Sequence, residues 1–131
     1  MTLSNNQAAG ISIDIDFSKN TFRNTRIEGN GDVGIFMRDS NANLFDNVSI
    51  ANSGNHGIFL SEVDDDSTCP NDNEFRNLSV SDSKGAGFRF HSPCVRNRLT
   101  GKTQFAKNRD GCISEAEQSH LLVQGNVTCT K

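Results

Sequence analysis

Five times in 131 residues the chain returns to a glycine followed by Ile, Phe or Cys: GISID at Gly10, GIFMR at Gly34, GIFLS at Gly57, GFRFH at Gly87 and GCISE at Gly111. The spacing is roughly 23 residues, with an insertion in the third unit. Ile11 and Ile13, Ile35 and Met37, Ile58 and Leu60, and Phe88 and Phe90 alternate with outward residues, the period of a strand with one buried face. In the fifth unit Cys112 keeps the pattern and Ser114 breaks it. A second stretch reads Asn, any residue, Phe, and supplies Phe22 and Ile27, then Phe45, Val48 and Ile50, then Phe75, Leu78 and Val80. The fourth unit keeps Asn97 and Leu99 but slips by a residue before Phe105; the last keeps only Leu121 and Val123. No single unit can bury its apolar side chains, so the copies must stack, each strand pairing in parallel with its equivalent about 4.8 Å away.

The expected fold is therefore an all-β parallel solenoid of about five coils. In these residues the sequence resembles the right-handed parallel β-helix family, the pectate-lyase-like architecture, whose sugar-processing members carry loose repeats of the form N-x-φ-x-x-N-x-φ followed by Gly-Ile-x-Leu. The likeness runs over about residues 10–125 and implies a right-handed parallel β-helix. A leucine-rich repeat is the competitor, because FDNVSIANS also fits its consensus; here, however, a Gly-apolar strand follows where that family places a helix, and the chain has only seven Leu. Hexapeptide left-handed β-helices do not match the spacing. The reading is one domain over 1–131: an N-terminal cap at 1–9, coils over 10–125 with an inserted loop at 61–72, and a tail at 126–131.

Sixteen Asn and 11 Gly suit a chain of many short turns, since both tolerate positive φ. Asn20, Asn43, Asn73 and Asn97 recur just before the inward Phe or Leu, and Asn24, Asn47 and Asn77 just after it. Stacking turns them into an Asn ladder whose amides bond along the axis. Asn47, Asn77 and Asn126 also lie in N-x-[ST] sequons, for which ladder positions are poor acceptors.

A net charge of −3, with basic residues dispersed, argues against a general nucleic-acid or anionic-membrane binder. No apolar run approaches the roughly 20 residues of a membrane span, and MTLSNNQAAG lacks the basic start and apolar run of a signal peptide. A soluble protein of bacterial or phage origin is expected. Four cysteines leave reduced thiols or one or two disulfides open. Cys69 and Cys94 precede Asn73 and Asn97 by four and three residues, nearly the same place on adjacent rungs, so a Cys69–Cys94 bridge is expected to pin the inserted loop. Cys112 reads as a core residue and Cys129 as part of the end.

If Ile58 and Leu60 point in, Phe59 points out, beside Phe36, with Ser12 before and Arg89 and Ile113 on the next two rungs. Adjacent outward Phe side chains on a flat sheet suit a homodimer interface, a sugar-stacking platform or a surface covered by a loop. The next outward column is Asp14, Arg38, Ser61, His91 and Glu115. The family resemblance implies sites on such a surface, and a polyuronate groove would use Arg38, Arg89, His91 and Glu115, with Arg as carboxylate fork and a carboxylate or His for proton transfer. The inserted loop gathers Glu62, Asp64, Asp65, Asp66 and Asp72, a candidate Ca²⁺ site of the kind calcium-dependent lyases of the family carry. The epimerase motif Asp-Pro-His-Asp is absent, with HSP at 91–93 only an echo; of the polygalacturonase-like set there remain Asp64, Asp65 and NHG at 55–57. Five coils span only about 24 Å, a short groove for a catalyst. Three function classes follow: a non-catalytic carbohydrate-binding or structural module that self-associates, a lyase, epimerase or inverting hydrolase acting on acidic polysaccharide, and a protein-binding scaffold. No cofactor beyond Ca²⁺ is implied.

Overall fold

A computed structural model describes residues 1–14, 16–62, 69–91, 93–114 and 120–131. Every strand pairing among them is parallel, and the chain winds as a β-solenoid of about five turns. One sheet stacks β2 (Ile11–Ile13), β4 (Ile35–Arg38), β6 (Ile58–Ser61) and β9 (Phe88–Phe90). The other begins with β1 (Thr2–Ser4), β3 (Thr21–Glu28) and β5 (Leu44–Ala51). Beyond β5 it divides into β7 (Glu74–Arg76), β10 (Asn97–Thr100) and β12 (Leu121–Val123) on one side of a corner, and β8 (Ser79–Ser81), β11 (Lys102–Ala106) and β13 (Asn126–Thr130) on the other. Residues 126–130, expected as a tail, thus pair in register with β11, and Val127 packs on the core.

The corner is written in the sequence. Asn24, Asn47 and Asn77 adopt φ of 50°, 56° and 53°, and Gly101 takes the same turn at 66°. Asn pays little for the left-handed region, which bends the strand without ending the stack. The slip expected before Phe105 is present: Thr100 pairs with Arg76 but Gln104 with Ser79, so Gly101 and Lys102 share the place of Asn77.

Inside, equivalent apolar residues form columns. Phe22, Phe45 and Phe75 stack nearly parallel, with centroids 5.0 and 4.9 Å apart. Ile35, Ile58 and Phe88 form a second column, and Met37, Leu60 and Phe90 a third; all are buried. Gly10, Gly34, Gly57 and Gly87 form a column for a steric reason. A Cβ on each would lie 2.9, 2.6, 2.6 and 2.8 Å from the carbonyl oxygen of Gly34, Gly57, Gly87 and Cys112 on the next rung.

That last contact corrects the alignment of the fifth unit. The glycine position on the final rung is held by Cys112, and Phe88 pairs with Ile113. Ile113 therefore does not follow Arg89 in the outward column; it is half-buried and packs against the core. Cys112 stands where the earlier rungs carry glycine, so Gly111 misled as a phase marker.

Polar side chains close the turns. The backbone N–H groups of Asn20, Asn43 and Asn73 donate to Oδ1 of Asn43, Asn73 and Asn97 at 2.9, 2.9 and 3.1 Å. Nδ2 of Asn43, Asn73 and Asn97 donates to the carbonyls of Phe17, Ser40 and Pro70. A further column that sequence reasoning missed runs through Asn30, Ser53, Ser83 and Asn108, all buried. Asn6 N–H donates to Asn30 Oδ1, and Ser83 N–H to Asn108 Oδ1, whereas the hydroxyls of Ser53 and Ser83 reach no partner among the described residues.

Two disulfides tie the coils. Cys69–Cys94 joins adjacent rungs, with Cα atoms 4.9 Å apart, at the end of the inserted loop. Cys112–Cys129, 6.0 Å between Cα atoms, fastens the last strand to the core.

Because the Asn73 amide bonds to two groups of the preceding rung, its replacement strands both. Asn73→Ala leaves the Asn43 N–H and the Ser40 carbonyl without their side-chain partner, at about 1–3 kcal/mol for each buried group. Urea unfolding midpoints should place this variant well below Asn20→Ala, whose side chain sits at the edge of the column. Equal losses would mean that these amides do not hold the stack.

Candidate functional site

The β4–β6–β9 face carries the most concentrated chemistry. Strand alternation sends Phe36, Phe59 and Arg89 outward, and register aligns them: Ser12 with Phe36, Phe36 with Phe59, Phe59 with Arg89. The two rings are half-buried and meet edge to face at 5.7 Å. Arg38 lies over Phe36 at 5.8 Å and Arg89 over Phe59 at 5.2 Å, within cation–π range. Two histidine rings stand edge-on to Phe59, His56 at 5.4 Å and His91 at 5.1 Å.

His56 was absent from the candidate set, although NHG at 55–57 contained it. It occurs once, so no repeat drew attention to it. It lies in the turn before β6 and is only 7 % exposed. Its Nδ1 accepts a hydrogen bond from the Ala86 N–H at 2.9 Å, and Nε2 is 3.3 Å from Arg89 Nη1. Burial first, and the Arg89 guanidinium second, push its pKa below the usual histidine value; Asp110 and Asp32 act in the opposite direction.

The other candidates separate. Asp14 is paired with Arg38. His91 Nδ1 accepts the Glu62 N–H at 3.2 Å, and the Glu62 carboxylate is 3.9 Å from the same nitrogen. Asp72 is gripped by Arg96 at 2.7 and 3.1 Å, and that contact holds its carboxyl below the usual range. Of the five acids proposed for Ca²⁺, Asp64, Asp65 and Asp66 lie outside the described residues, as does Glu115. Glu62 and Asp72 thus have separate partners, and no group of three potential metal ligands occurs among the described residues. Ile113 leaves the patch for the reason given above.

Away from this face the polar clusters are structural. Glu74 accepts from Arg76, Arg98 and Thr100, and the Thr100 hydroxyl is the main cause of its lowered pKa. No helix among the described residues is long and apolar enough to cross a membrane.

The family model described as "Right handed beta helix region" matches residues 1–128. Neither a curated protein nor a solved structure matches the chain.

His56 gives the fold a pH dependence of definite sign. The unfolded chain takes up this proton near pH 6.5, the folded chain only at lower pH, so the contribution is complete above that value and is lost as pH falls below it. Urea midpoints measured at pH 7.5 and 5.0 should drop further for the wild type than for His56→Gln. The same drop in both would remove His56 as the cause.

Proposed function

The chain belongs to the right-handed β-helix family, and from that premise we propose that it is a non-catalytic module that binds carbohydrate on the β4–β6–β9 face. The observation that carries this reading is the pair of half-buried rings, Phe36 and Phe59, on the outward side of the sheet and bordered by Arg38, Arg89, His56 and His91. Binding sites for small ligands combine apolar and aromatic surface with a few placed polar groups. A sugar offers both counterparts, C–H faces for the rings and hydroxyls for the nitrogen groups.

Catalysis fits the same residues less well. Glycoside hydrolysis needs two free carboxyl groups across the scissile bond. The described carboxylates beside this patch are Asp14, paired with Arg38, Glu62, next to His91, Asp32, bonded to Asn55, and Asp110, which with Asp32 acts on His56. The enzyme reading would rest on Arg38, Arg89, His91 and Glu115. A second copy docked over Phe36 and Phe59 is the competing use of the face, supported by the same apolar rings. Bridging of both cysteine pairs supports maturation in an oxidising compartment.

A glycan array read together with absorbance at 232 nm on pectate and alginate, plus solution mass, separates these uses. Binding without an absorbance rise, weakened at least about tenfold (about 1.4 kcal/mol) in Phe59→Ala, is the expected result. Rising absorbance would make the protein a lyase. A dimer that Phe36→Asp converts to monomer, with no glycan retained, would make the face an interface between copies.

A further inference from the structure

Three side-chain N–H donors near Phe59, on His56, His91 and Arg89, have no acceptor among the described residues. Because His56 Nδ1 accepts the Ala86 N–H, it carries no proton, and the neutral ring must carry its proton on Nε2. That N–H faces Arg89 Nη1 at 3.3 Å, and a guanidinium can only donate. Two donors therefore converge and neither satisfies the other. His91 repeats the arrangement: its Nδ1 accepts the Glu62 N–H at 3.2 Å, leaving the proton on Nε2, while the Glu62 carboxylate at 3.9 Å is beyond hydrogen-bond reach of Nδ1. Among the described residues no acceptor meets Nε2 of either ring or the Arg89 guanidinium. His56 is more than nine-tenths buried, so its Nε2–H cannot turn freely to water.

We propose that Arg89 and the Nε2–H of His56 form an oxyanion site at the edge of the Phe59 ring, with His91 Nε2–H as the next donor along the face. The ligand class is a carboxylate or sulfate group, whose paired oxygens accept from both donors. Carried on a sugar, this group would specify an acidic glycan and so rests on the carbohydrate reading; free in solution, it does not. Asp32 and Asp110 face His56 and Glu62 faces His91, so the site attracts by directed N–H groups more than by net positive charge. Since the His56 ring donates while neutral, its donor persists from pH 7 to 8, where a site built on imidazolium would fade.

Long-range ¹H–¹⁵N NMR at pH 7.5 reads the tautomers directly, and titration with sodium sulfate, a galacturonate tetramer and a galactose tetramer reads the ligand. Both His56 and His91 should be Nε2–H. The galacturonate tetramer should shift the His56 signal and bind at least tenfold more tightly than the galactose tetramer, and Arg89→Gln, at an exposed position, should remove that preference. Shifts with sulfate but with neither tetramer would keep the oxyanion site and sink the carbohydrate reading. Equal binding of both tetramers without a His56 shift would do the reverse. An Nδ1–H tautomer at His56, or no shift with any probe, overturns the site.

Discussion

In-register parallel stacking is the constraint on which everything else depends. Once Phe45 sits on Phe22 and under Phe75, each position has the same neighbour above and below, and a residue type is judged by whether it can meet its own equivalent. Aromatic rings can, by offset stacking. Asparagine can, because its amide donates and accepts along the axis. At Gly34 and Gly57 nothing larger than hydrogen can, since a Cβ would press on the carbonyl of the following rung. The repeat records these compatibilities; it is not a set of independent strand propensities.

This is why the architecture was legible and the details less so. Columns filled by one residue type repeated across rungs, such as Asn43, Asn73 and Asn97 or the Phe stack, stand out at any reasonable alignment. The column Asn30, Ser53, Ser83, Asn108 was invisible because two rungs substitute a shorter side chain, which keeps the burial but loses the amide bond. Ile113 was misassigned for the converse reason. Gly111 imitates the repeated glycine, yet Cys112 occupies the place and bridges to Cys129.

Chemistry sits where columns change identity. The outward series Ser12, Phe36, Phe59, Arg89 shifts from hydroxyl to aromatic to cation over four rungs, and no stacking requirement accounts for the sequence. Periodicity locates such a surface but cannot rank its residues, so Phe36, Phe59 and Arg89 were found together and His56 was not. A residue present once leaves no period to detect. The signal that could have found it is chemical: a histidine between Asn55 and Gly57, in a turn where the neighbouring coils place Val33 and Ala86.

Fold and site meet in one hydrogen bond. The Ala86 N–H needs an acceptor because it is buried between two coils, and His56 Nδ1 supplies it. Satisfying that structural demand fixes the tautomer, and the tautomer decides that Nε2 donates toward the face where Arg89 also donates. Gly85 lets the ring lie close, since a Cβ there would stand 2.9 Å from Cε1 of His56. The same contact makes an imidazolium costly at both nitrogens: Nδ1 would lose its donor from Ala86, and the ring charge would oppose the guanidinium. Stacking thus sets which proton this histidine keeps, and through it what the face can hold.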